Sequence, residues 1–242
     1  MRSIFAFALL AASLPVEAIL TRADREDSEY LELATRYPAA VAIAPNVEGT
    51  LIAPRWVLTS ARAATLLRDT KPRATLELGG KANAIEATFV HPEWKKGFDA
   101  DVGLAFLRDP VPGITPMPAS RDRDESEEIV FIVGHGETGR IGETARRSDG
   151  RKRAAINTVE RVTDKALRVE LKPLIDASDL QGAVASNEHG APAILERLGQ
   201  TSVVGVYSGN EGNWQVFARV SAYADWIEET MFKEGTKPSK PR

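Results

Sequence analysis

Gly49-Thr50-Leu51-Ile52-Ala53-Pro54-Arg55-Trp56-Val57-Leu58-Thr59 is the stretch from which the fold is read. Leu51-Ile52 and Trp56-Val57-Leu58-Thr59 are apolar, β-favouring runs, and Pro54 between them calls for a turn. Two short strands in succession are therefore expected. Similar runs lie on either side, at 39–44, 74–80, 84–90 and 101–107, then at 129–133, 154–159, 166–171, 203–207 and 214–220. Many short strands bounded by turn residues predict an all-β sandwich or barrel rather than an α/β fold. Residues 110–128, rich in Pro, Ser and charge, read as the linker between two halves. Residues 22–36 are charged, with Tyr30, Leu31 and Leu33 as candidate anchors. The run 139–153 carries Arg140, Arg146, Arg147, Arg151, Lys152 and Arg153, and like charges prefer water, so an exposed mobile loop is expected there. Near the end, Tyr223, Trp226, Ile227 and Met231 recur at helical spacing behind Ser221, a candidate cap, and 235–242 form a flexible tail.

Composition narrows the function. The 242 residues, 43% hydrophobic, suffice for a substantial core. A formal charge of -3 argues against nucleic-acid binding. Arg2, the apolar run 4–12 and the small residues Val16 and Ala18 predict a secretory signal peptide over 1–18, leaving a mature chain that starts at Ile19 in a secreted or periplasmic setting. No segment is long and apolar enough for a membrane span. The absence of cysteine excludes disulfides, thiol nucleophiles and thiolate metal sites. With only His91, His135 and His189, and no His-x-x-x-His spacing, neither a metal site nor a cofactor is expected.

Five motifs, in order, carry a resemblance. Gly49 to Ala63 reads Gly-x-Leu-Ile, then Trp56-Val57-Leu58-Thr59, Ala61 and Arg62-Ala63. His91-Pro92 precedes Asp101-Val102-Gly103-Leu104-Ala105-Phe106-Leu107. Val133-Gly134-His135-Gly136 follows, then Asn187-Glu188-His189-Gly190-Ala191-Pro192, and last Val203 to Ser208 with Ala218-Arg219-Val220-Ser221. This series resembles the trypsin-like serine proteases from about residue 39 to the last helix. The resemblance implies two six-stranded antiparallel β-barrels, about 19–118 and 119–234, with a cleft between them and a terminal helix packed on the second barrel.

It also implies which residues occupy the catalytic positions. Asp101 matches the family's aspartate, Arg62 stands at the position of its histidine, and His189 at that of its serine. A hydroxyl nucleophile, an imidazole base and an orienting carboxylate are all required. A guanidinium stays protonated and cannot serve as base. Arg62 is instead expected to pair with Asp101 bidentately, and its charge to lower the pKa of His189. Ser60 and Ser186 are read as turn caps rather than nucleophiles. Backbone N–H groups of Asn187 and His189 match the oxyanion hole, and Ala183, Ser208 and Asn210 match the primary pocket, implying a narrowed site with an apolar floor. Glu188 matches the aspartate that receives a freed N-terminal ammonium, so an ion pair between Ile19 and Glu188 is expected after signal cleavage. The implied function is that of a proteolytically inactive homologue acting by binding or regulation, with a protein or peptide in the inter-barrel cleft. The alternative is a serine-type peptidase or esterase with a rewired site.

Overall fold

The computed structural model describes residues 19–44, 47–69, 75–78, 81–135, 137–143, 147–185 and 188–235. The elements, in chain order, are β1 (Leu20–Thr21), α1 (Asp27–Ala34), β2 (Ala40–Ala44), β3 (Val47–Ala53), β4 (Trp56–Thr59), α2 (Ala61–Asp69), β5 (Thr75–Leu78), β6 (Lys81–Val90) and β7 (Gly103–Leu107). They continue with β8 (Ile129–Gly134), β9 (Glu137–Arg140), β10 (Arg147–Ser148), β11 (Arg153–Thr158), β12 (Arg161–Val162), β13 (Ala166–Glu170), β14 (Gly182–Ala183), β15 (Pro192–Arg197), β16 (Gln200–Glu211) and β17 (Trp214–Arg219). A short turn of helix at Val220–Ala222 leads into α3 (Ala224–Gly235).

The stretch around Pro54 forms a hairpin, with Leu51 opposite Val57 and Thr50 opposite Leu58. From it grows an antiparallel six-stranded sheet of order β2-β3-β4-β7-β6-β5. Its end strands, β5 and β2, pack together, so the barrel is nearly closed. Leu51, Val57, Leu58, Leu104 and Leu107 are fully buried, and β4 and β7 are covered on both faces. The second half is a seven-stranded antiparallel half-barrel of order β11-β8-β15-β16-β17-β13-β12. It has one strand more than the six expected, because the short β12 adds to β13 at the edge and leaves the sheet open. A small sheet, β10-β9-β1-β14, brings the N-terminal strand against the second half, with Leu20 opposite Ala183.

Three expectations need correction. The terminal helix does not pack on the second half alone: the Tyr223 hydroxyl accepts the Ala100 N–H, and the Tyr223 and Trp226 rings lie edge-on to His91, so the chain end clasps the first barrel. Ser221 does not cap α3; its hydroxyl donates to Glu125, which is buried with Arg219. The 139–153 segment is not a uniformly solvated loop. Arg153 is fully buried and meets Asp27 and Asp149, because α1 supplies a carboxylate where the sequence shows only a run of like charge. Arg140, in turn, donates to the carbonyls of Arg22 and Arg25. Two further helices, α1 and α2, lie within the charged segment 22–36 and at 61–69. Glu29 accepts the Glu26 N–H at the start of α1, and Ser60 accepts the Ala63 N–H at the start of α2. Ser60 is thus the cap expected of it. Ser186, residues 1–18, where a signal peptide is expected, and the expected tail beyond Gly235 lie outside the described residues.

Candidate functional site

The site lies at the seam, where the β4–α2 turn, the lead into β7, the later part of β16 and the segment before β15 converge. Asp101 is fully buried. One carboxylate oxygen accepts the Arg62 backbone N–H at 2.9 Å and the other the Ser208 hydroxyl at 2.5 Å. Burial pushes the Asp101 pKa up, and these hydrogen bonds oppose the rise. The geometry follows from local structure: capping by Ser60 turns the first N–H groups of α2 toward Asp101. A register shift between Tyr207 and Gly209 marks a bulge in β16 at Ser208.

The expected Arg62–Asp101 ion pair does not form. Both carboxylate oxygens are engaged by other donors, and none of the ion pairs among the described residues includes Arg62. The guanidinium Nε is buried without a hydrogen-bond partner there, as is Nδ1 of His189. The His189 imidazole is pulled down to a pKa of about 4, first by burial and then by the charge of Arg62. A neutral imidazole beside a fixed cation is therefore the resting state.

His189 is fixed through its backbone. Its carbonyl accepts the Glu48 N–H at 3.0 Å, tying the segment to the first barrel. Gly190 follows with φ of +96°, a conformation that suits glycine. A Cβ at Gly190 would come within 2.2 Å of both the Glu48 carbonyl and the Thr59 hydroxyl. Glu188 is fully buried against Gly134, where a Cβ would meet its carboxylate at 2.8 Å. Ile19 is buried in the core of the second half. Asn187 lies outside the described residues.

The three pocket candidates take different places. Ala183 is buried in β14. The Ser208 hydroxyl donates to Asp101. Asn210 is exposed and accepts the Tyr207 hydroxyl at 3.0 Å. Phe98 stands against Gly209, where a Cβ would meet its ring at 2.9 Å.

Sequence reading missed one pair entirely. Glu48 is buried and accepts both the backbone N–H of His135 at 3.1 Å and a bond to His135 Nδ1 at 2.8 Å. Burial raises the Glu48 pKa, while His135 and Lys152 oppose the rise. Lys152 donates to the Tyr37 carbonyl, and burial lowers its pKa. Glu48 looks like an ordinary polar strand residue, and its burial follows from the His189 segment lying along β3, which no local pattern reveals.

Among the described residues no group of three or more His, Cys, Asp or Glu side chains is arranged to hold a metal, and no helix is long and apolar enough to cross a membrane.

Comparison with known proteins places these features. The family model described as Trypsin matches residues 33–227. Complement C1s subcomponent of Sus scrofa is 25% identical over 229 residues, covering 81% of this chain and 33% of its own length. Complement C1s-1 subcomponent of Mus musculus is 25% identical over 237 residues and complement C1s subcomponent of Bos taurus 26% over 231, with the same shares covered. The chain spans about a third of the length of these relatives. With a nearly closed barrel, a half-barrel and a terminal helix joined at a seam that holds Asp101 and Ser208, the chain belongs to the trypsin family.

Proposed function

We propose that this protein is an exported member of the trypsin family that has lost proteolytic activity and acts by binding a protein or peptide in the cleft between its halves. One observation carries the reading: the carboxylate with its Ser208 and backbone support is intact, yet the groups around it are a guanidinium and a neutral imidazole. Neither supplies a hydroxyl, and Arg62 cannot accept a proton. Loss of serine or histidine from such a triad costs on the order of 10⁶ in turnover, and the losses act as one unit. A residual of about 10³ over water from binding and backbone donors is all that would remain. The same reading assigns the family's oxyanion positions to Asn187 and His189 and its pocket positions to Ala183, Ser208 and Asn210.

The test is a broad peptide-substrate panel applied to the purified protein and to the double variant Arg62→His, His189→Ser. The expected result is no turnover by the unaltered chain and measurable turnover by the variant, whose Asp101 and Ser208 are already in place. Turnover by the unaltered chain in a contaminant-free preparation, whether or not Arg62→Gln or His189→Asn abolishes it, would overturn the reading.

The same reading includes removal of residues 1–18 on export and an ion pair between the new Ile19 ammonium and Glu188. The burial of both residues supports it. A buried carboxylate is stabilised by a charge-bearing partner, and breaking such a pair leaves a lone charge inside.

A rewired enzyme is the second reading, favoured by the Glu48–His135 pair. A buried carboxylate bonded to one ring nitrogen orients an imidazole as a general base toward water. Slow hydrolysis of p-nitrophenyl acetate that His135→Gln abolishes would support it; a rate unaffected by that change would remove it.

A further inference from the structure

We propose that Arg62 and His189 together bind a carboxylate, with the guanidinium fork and the imidazole N–H as its donors. The inference rests on the cleft-binding reading above and names the chemical group that the cleft selects.

The starting point is an exception. The buried or nearly buried forks of Arg22, Arg153 and Arg219 each place Nε and a terminal nitrogen on one carboxylate, those of Asp24, Asp27 and Glu125. Arg62 has no such partner, and its Nε is buried without a hydrogen bond among the described residues. The carboxylate on which its charge acts, Asp101, is committed to the Arg62 backbone and to Ser208. His189 Nδ1 is orphaned in the same way. Buried polar atoms are satisfied in most folded proteins, so two orphans on neighbouring side chains call for a shared acceptor.

Chemistry narrows the acceptor. A guanidinium matches a planar, two-oxygen anion bidentately. A neutral imidazole still offers one N–H donor. A cationic ligand would be repelled by Arg62. A dianion would face Asp101, whose charge partly offsets that of Arg62, so a monoanionic carboxylate fits better than a phosphate. Such a carboxylate can come from a peptide C-terminus or from an acidic side chain.

The experiment follows the His189 ring by NMR, with three histidines in the chain and His189→Asn to assign the signal. The probes are acetyl-Ala-Ala-Ala with a free C-terminus, the same tripeptide amidated, amidated acetyl-Ala-Asp-Ala, and inorganic phosphate. The free acid is expected to shift the His189 signal saturably and to raise the midpoint of its titration above the resting value. Arg62→Gln, which keeps the backbone N–H that serves Asp101, is expected to weaken that binding at least about tenfold, the scale of one charge-assisted bond of 1.4 kcal/mol or more. A response to the Asp-bearing amide as strong as to the acid keeps the site and assigns the ligand to a side chain. Equal binding of acid and plain amide would overturn the inference while leaving a peptide-binding cleft. Tighter binding of phosphate, undiminished binding by Arg62→Gln, or no response of His189 to either acid would also overturn it.

Discussion

His189 is the residue whose behaviour is most sharply set by its surroundings. Its pKa falls from 6.5 to about 4 through burial and the charge of Arg62. A depressed folded pKa contributes stability that is present above the unfolded value and lost as pH falls through the folded one. With solvent screening of the partly wet ring allowed for, that contribution is on the order of 2 kcal/mol. Urea unfolding at pH 7 and pH 4 should therefore show an acid loss that is smaller by about this amount in His189→Asn. Asp101 and Glu48 act in the opposite sense: burial raises both, so their contributions are full below the ordinary carboxylate range and fade as pH rises. Comparing the two proteins cancels them. Arg62→Gln should raise the His189 titration midpoint only part of the way to 6.5, since burial is the larger cause; proton NMR of the ring reads this directly. At this scale the sequence was legible wherever a motif fixed a position, as for Arg62, Asp101 and His189. Glu48 and His135 were not, because 87 positions separate them and only the packing of one half on the other brings them together.

Among the elements, the join between β3 and the segment before β15 holds the two halves in register. Gly190 makes it possible, since its φ of +96° and its 2.2 Å approach to Glu48 and Thr59 leave no room for a side chain. Gly190→Ala should destabilise the protein by about 3 kcal/mol, the upper end for overpacking, and a shift in the urea midpoint would report it. A change below about 0.5 kcal/mol, the usual range of a surface substitution, would mean that the join is not needed. The Arg153 cluster offers a second test. Asp27→Asn removes one of two carboxylates from a fully buried cation and should cost about 2 kcal/mol, whereas Arg151→Gln on the exposed side should cost nothing measurable. Most strands could be read from their apolar runs and bounding turns. The helices α1 and α2 could not, because their burial depends on single faces, Tyr30 with Leu33 and Ala63 with Leu67, set in otherwise polar or alanine-rich sequence. The run 139–153 misled for a related reason: charge density says nothing about a distant carboxylate such as Asp27.

For the whole molecule, the N-terminal strand, the cleft and the terminal helix form one connected unit. β1 lies between β9 and β14, Ile19 is in the core, and Tyr223 of the chain end bonds Ala100 just before Asp101. The chain that begins at Ile19 should unfold at a higher temperature than one carrying an extra alanine before Ile19, and Glu188→Gln should erase the difference; equal unfolding temperatures would remove the proposed ammonium pair. Overall architecture was accessible from the sequence because five short motifs stand in one order along the chain. What the cleft binds was not, because it depends on which donors remain unpaired after folding. The central claim is that no side chain in the cleft works as an activated nucleophile. Intact-mass analysis after incubation with a fluorophosphonate probe tests it most directly. The unaltered protein should keep its mass while the Arg62→His, His189→Ser variant gains one adduct; an adduct on the unaltered protein, at any side chain, would contradict the account.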